Sequence, residues 1–148
     1  IRLMILRLLT MSLSISIMFA GDIDDVLETY EAFDKAYVDE KPKDMFSYMH
    51  ENHTVFWNDN GWLDNYGTVK GWTAGYLTDD YTWTVRDRDV KVYGNTAVVA
   101  TIATATSTSD GSETKIYQVR ETGVLSKVND KWLVVHMHSS DFKPKNDD

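Results

Sequence analysis

The sequence predicts an α+β fold in which a curved antiparallel sheet wraps around N-terminal helices. Three observations carry that prediction. Apolar residues early in the folded part recur every three or four positions. From His53 the period changes to two. After Tyr81 the chain is made of long Thr- and Val-rich stretches separated by Gly94-Asn95, Asp110-Gly111 and Asn129-Asp130. Helices first, then strands joined by tight turns, give separate helical and sheet layers.

Residues 22–40 form the first predicted helix. Val26, Tyr30, Phe33 and Tyr37 lie on one stripe, and Asp22, Asp24 and Asp25 suit the positive end of the helix dipole. Pro42 is tolerated in a first turn, so it opens a second helix over 42–51 that buries Met45, Phe46 and Met49. A strand follows, with His53, Val55 and Trp57 on one face and Thr54, Phe56 and Asn58 on the other. The Asn- and Asp-rich stretch 58–61 is a turn, and 71–80 a short third helix. Strands are predicted over 81–93, 96–108, 113–127 and 132–140. The second of these is apolar on both faces, which predicts a central strand covered on both sides.

The chain has 148 residues, enough for one domain. Hydrophobic content of 43% and charge of 26% fit a folded globule rather than a disordered chain. Cysteine is absent, which removes disulfide scaffolds, thiolate metal sites and cysteine nucleophiles. The 23 acidic residues outnumber 15 Lys and Arg, for a net charge of −8. That balance speaks against nucleic acid as a partner, because phosphate contacts need clustered cations.

The acidity is unevenly spread. Residues 1–21 contain Arg2 and Arg7, a long apolar stretch, then Ala20-Gly21, with no acid before Asp22. This is the pattern of a secretory signal peptide, with an uncleaved anchor as the alternative. Either reading places the domain outside the cytoplasm, periplasmic or secreted. Removal of both arginines takes the net charge from −8 to −10. A domain so acidic is repelled by anionic membrane surfaces. The chain therefore divides into a signal segment (1–21), a folded domain (22–142) and a polar tail (143–148).

The segment Asp130-Lys131-Trp132-Leu133-Val134-Val135-His136-Met137-His138-Ser139-Ser140 resembles the closing strand of the nuclear transport factor 2-like superfamily, above all its SnoaL-like branch. It is also similar to the association domain of calcium/calmodulin-dependent protein kinase II. The resemblance implies a cone-shaped, cystatin-like fold, a pocket between sheet and helices, and a homodimer. The superfamily hosts isomerases, cyclases, dehydratases and non-enzymatic binders, so fold alone does not choose a chemistry.

His136 and His138, two apart in a strand, project to the same side. Histidine titrates near neutral pH, which makes the pair candidates for acid–base work. The same pair could instead pack within the sheet or at a dimer interface, or grip a metal. The resemblance implies no metal, and no cofactor is expected. Arg120 is the candidate for anion stabilisation, against a surface ion pair as the alternative. For ketosteroid isomerase-like relatives the resemblance implies a helix tyrosine and a carboxylate near the end of the first strand. Here these positions fall to Tyr30, and to Trp57 followed by Asp59. Asp59 serves equally as a turn residue, and Tyr30 and Trp57 as core. Tyr117 and Gln118 complete the candidate ligand-binding set. The expected function is binding of a small, mostly apolar molecule, with cofactor-free isomerase, cyclase or dehydratase chemistry. A dimeric binding or assembly module without chemistry is the alternative.

Overall fold

The computed structural model describes residues 21–57, 61–76, 80–109 and 111–143. Helix α1 covers residues 21–38. It stops two residues before the sequence reading because the chain turns left-handed at Glu40 (φ 56°). There the Lys41 amide donates to the Ala36 carbonyl (2.9 Å) and the Glu40 amide to the Tyr37 carbonyl (3.2 Å). This paired closure satisfies carbonyls that the helix end would leave free. Helix α2, Pro42–Ser47, begins at its proline and buries Met45. It is shorter than the predicted 42–51. The Val134 amide bonds to the Tyr48 carbonyl (2.8 Å), and Met49 already belongs to strand β1, Met49–Phe56.

A three-residue strand, β2 (Leu63–Asn65), pairs back onto β1 and was not anticipated. Helix α3 is Tyr66–Tyr76, starting five residues before the predicted Gly71. Asn65 explains the early start. Its side-chain oxygen accepts the Thr68 amide at 3.1 Å, an N-cap that fixes the first turn. Strands β3 (Asp80–Tyr93), β4 (Thr96–Thr108), β5 (Lys115–Val128) and β6 (Lys131–Asp141) follow the predicted order. The turn between β5 and β6 uses Asn129 and Asp130, both at positive φ, as a two-residue hairpin turn requires.

The strands form one sheet in the order β2-β1-β6-β5-β4-β3. All described pairs are antiparallel except β1 with β6, which is parallel. Strand β4 is thus next to the edge strand β3 rather than central. One face of it is buried through Ala97, Val99, Thr101, Ala103 and Ala105. Its other face, Val98 to Thr104, is half-buried or exposed, so β4 is not covered on both sides as its composition suggested. Its alanines and threonines satisfy a strand without needing a second cover.

Register sorts the side chains of β3, β4, β5 and β6 into rows. The inward rows are Val92–Ala97–Leu125–Val134, Val90–Val99–Gly123–Met137 and Arg88–Thr101–Glu121–Ser139. Helix α1 lies against them through Val26, Tyr30, Phe33 and Ala36, which form the core with Val55, Leu125, Trp132 and Val134. Lys127 of β5 bonds Asp22 at 2.6 Å and ties the start of α1 to the sheet.

Candidate functional site

Tyr30 is fully buried where α1 crosses β5, and its hydroxyl donates to Glu121 Oε1 at 2.8 Å. The ring leaves no room for a side chain at residue 123. A Cβ on Gly123 would lie 2.4 Å from Tyr30 Cε2. One helical turn on, Asp34 is paired with Arg88 of β3 at 2.5 Å. Arg88 also donates through Nε to Thr101 Oγ1 (3.0 Å) and lies 4.9 Å from the Tyr30 ring centroid. Two carboxyls, one guanidinium, a phenol and a hydroxyl therefore form one buried network.

The network holds fewer cations than acids, and its electrostatics follow. Burial, and then the charge of Asp34, push Glu121 up to about 8. The Tyr30 hydrogen bond and the Arg88 charge pull against that rise. Burial likewise raises Tyr30 well above its ordinary value, helped by Glu121. Asp34 is raised by burial, with Arg88 opposing. Glu121 therefore holds its proton to higher pH than an exposed carboxyl does, and it is bonded by a tyrosine. Such a group can give a proton to a bound molecule or donate a hydrogen bond to developing charge.

Beyond this cluster the inward rows continue as Val85–Ala103–Val119 and Trp83–Ala105–Tyr117. Trp83 and Tyr117 are half-buried, and Tyr37 meets Tyr81 edge-on at 5.2 Å. Ala103 and Ala105 are fully buried between these aromatic and aliphatic neighbours, and the polar cluster occupies the adjoining row.

The predicted site residues are divided between the two faces. Tyr30 is core and belongs to the network. Trp57, just past β1, is half-buried against the core, and Tyr117 is inward. Asp59 lies outside the described residues. Gln118 is outward, accepting from Arg86 (3.4 Å) and Thr104 (3.3 Å). His136, His138 and Arg120 are also outward, so they do not join Tyr30, Trp57 and Tyr117. A bulge in β6 turns the histidines. Val124 pairs with His136 but Leu125 pairs with Val134, which leaves Val135 extra. The extra residue reverses the inward phase set by Trp132 and Val134, and Met137 becomes the buried residue. His136 Nδ1 meets Thr54 Oγ1 at 2.8 Å, and Phe56 stands edge-on to both histidine rings at 5.7 Å. Buried His53 is the inward histidine, and burial lowers it to about 4. Among the described residues no three His, Asp or Glu side chains converge as a metal would require.

Arg120 and His138 do meet on the outer face, around a shallow hollow of about 320 Å³. Its rows are Asp87–Ile102–Arg120–Ser140 and Asp89–Ala100–Thr122–His138. The Arg120 Nε donates to Ser140 Oγ at 3.2 Å, and its guanidinium lies 5.9 Å from the Phe142 ring.

Sequence reasoning missed Glu121, Asp34 and Arg88. Val119, Gly123 and Leu125 set an inward period of two that includes Glu121, and Asp34 stands four residues after Tyr30.

Solved structures share this fold. A nuclear transport factor 2-like superfamily protein from Salmonella enterica is 18% identical, covering 86% of this chain and 96% of its own, at a TM-score of 0.74. The hub of calcium/calmodulin-dependent protein kinase II from S. rosetta is 24% identical, covering 81% and 96%, at 0.72. The association domain of the C. elegans kinase is 19% identical, covering 83% and 98%, at 0.69. At these identities the likeness is one of fold. No curated protein sequence matches the chain. The SnoaL-like domain profile matches residues 26–143, the two opening helices, the sheet and the buried network included. The chain belongs to the SnoaL-like domain family.

Proposed function

We propose that this chain is an exported, homodimeric binding module for a small, mostly apolar molecule with a polar end. The molecule reaches the inner face beside the half-buried Trp83 and Tyr117, with its polar end toward Glu121 and Tyr30. The observation that carries this reading is the buried Tyr30–Glu121 pair at the inner end of an aromatic surface. Anilinonaphthalene sulfonate, an apolar fluorophore with an anionic head, is a suitable probe. It is expected to bind saturably with a rise in fluorescence. Tyr117→Ser is expected to weaken binding about tenfold without loss of the thermal transition, the effect of about 1.4 kcal/mol. Absence of saturable binding, or binding indifferent to this variant, overturns the proposal.

The chemistry favoured by the same pair is cofactor-free proton transfer, with Glu121 as acid and Tyr30 as its orienting donor. The alternative is a binder without turnover. The raised Glu121, bonded to Tyr30, favours the first, since perturbed acids concentrate at functional sites. Fold neighbours named as hub and association domains support self-association of this chain. Export predicts that the mature protein, recovered from periplasm or medium, begins near Gly21 by N-terminal mass mapping. Recovery of the full-length chain in the cytoplasm alone would count against it.

A further inference from the structure

We propose that Asp34 is a positioning residue for the Tyr30–Glu121 acid: it holds the Arg88 guanidinium in an ion pair, so that Arg88 does not pair with Glu121 and the carboxyl is left to Tyr30. The proposal rests on the reading of Glu121 as the acid and adds what keeps it one.

Arg88 and Glu121 stand in one inward row, each the register partner of Thr101 from opposite sides. Two strand spacings place their backbones about 10 Å apart. The Arg88 side chain already crosses part of that gap. Its Nε donates to Thr101 Oγ1 at 3.0 Å, and its guanidinium lies 4.9 Å from the centroid of the Tyr30 ring, whose hydroxyl bonds Glu121. One cation is therefore near two buried carboxyls. It pairs with Asp34, and among the described residues Glu121 makes no ion pair. Asp34 comes four residues after Tyr30, on the same face of α1. The helix that delivers the phenol to Glu121 also delivers a carboxylate to Arg88.

The charged and titratable groups that bear on Glu121 are Tyr30 and Asp34 of α1 and Arg88 of β3. Its register partners on β4 and β6, Thr101 and Ser139, do not titrate. Asp34 in turn faces Arg88 and, from its own helix, Glu31. A guanidinium bonded directly to a carboxyl favours its ionised form. Without the Asp34 charge, Glu121 is the buried carboxyl left to Arg88 among the described residues. Pairing would turn Glu121 into a carboxylate with no proton to give. An asparagine at position 34 can still accept a hydrogen bond, but it carries no charge to compete.

Infrared titration of the protonated-carboxyl band that Glu121→Gln abolishes tests this. In the natural chain the band is expected to persist well above pH 4.5. In Asp34→Asn its midpoint is expected to fall by at least about one pH unit, a tenfold loss of proton affinity. Asp34→Glu, which keeps the charge, is expected to stay near the natural midpoint. Asp34→Asn combined with Arg88→Gln removes the competing cation and is expected to recover most of the fall. A merely structural role predicts the reverse, since the second substitution loosens the network further. Asp34→Asn is expected to fold, because Glu121 replaces the lost partner of a buried cation. A single variant that does not fold, an unmoved midpoint, a Glu variant as low as the Asn one, or a double variant as low as the single overturns the role of Asp34 and leaves the acid reading standing. A natural chain whose band disappears near pH 4.5 overturns both.

Discussion

Replacing Gly123 with alanine is expected to be the most damaging small substitution in this protein. The added methyl would sit 2.4 Å from both Cε2 and the hydroxyl oxygen of Tyr30, and 2.6 Å from Cζ. Neither partner can yield easily. Gly123 is in the middle of β5, paired on both sides with Val99 and Met137. Tyr30 is held by Glu121 and by the close packing of α1. Overpacking of this kind costs about 3 kcal/mol, since the strand and the helix must part. Thermal denaturation should fall by about 10 °C. Tyr30→Leu in the Gly123→Ala background should recover much of the loss, although Tyr30→Leu alone is itself destabilising. Residues in direct contact couple in this way, and distant ones do not. A variant that melts within about 2 °C of the natural protein would show that α1 does not rest on β5 as described.

The second large effect concerns pH. Glu121 in the unfolded chain releases its proton near 4.5, and in the folded chain near 8. Between those values the folded state holds one proton more, so its stability falls as pH rises. The contribution is fully present below about 4.5, is lost progressively up to 8, and changes no further above that. Glu121→Gln keeps an oxygen for the Tyr30 hydroxyl and removes the titration. It is expected to be more stable than the natural protein at pH 8.5 by a few kcal/mol, and to show no such advantage near pH 4.5. Parallel melting curves at the two pH values check this. Equal pH dependence in the two proteins would mean that Glu121 is ionised throughout.

Much of the architecture was legible in the sequence, for reasons visible in particular residues. The boundaries of β4 coincide with those predicted because Gly94 and Gly111, both at positive φ, lie in the turns on either side of it. The stripe Val26–Tyr30–Phe33 places α1 on the sheet unambiguously. Elements set by local capping were less legible. Asn65 starts α3 early through one side-chain bond, and the capture of Tyr48 by β6 ends α2 early. Both depend on partners that periodicity does not reveal.

The site was harder to read than the fold. Tyr30 could be chosen from its helix stripe, yet its partner Glu121 is 91 residues away and looks like an ordinary strand acid. Arg120 stands beside Val119 in sequence, but it is exposed and one position out of phase with the inward Val119 and Glu121. The histidine pair fails differently. An unbroken strand from Trp132 would have carried His136 inward, and a single extra residue at Val135 reverses the face. A bulge changes no composition, so a period of two counted along the sequence passes over it.

The parallel pairing of β1 with β6 bears on when the protein can fold. β6 lies between β1 and β5, so among the described residues β1 and β2 are joined to the rest of the sheet through β6, which is made after all the other strands of the sheet. A growing chain can zip β3, β4 and β5 in sequence as hairpins. It cannot seat β1 until Asp141 has left the ribosome, and then it must close a loop of some eighty residues. The tethered intermediate has its first strand unpaired and part of its core open.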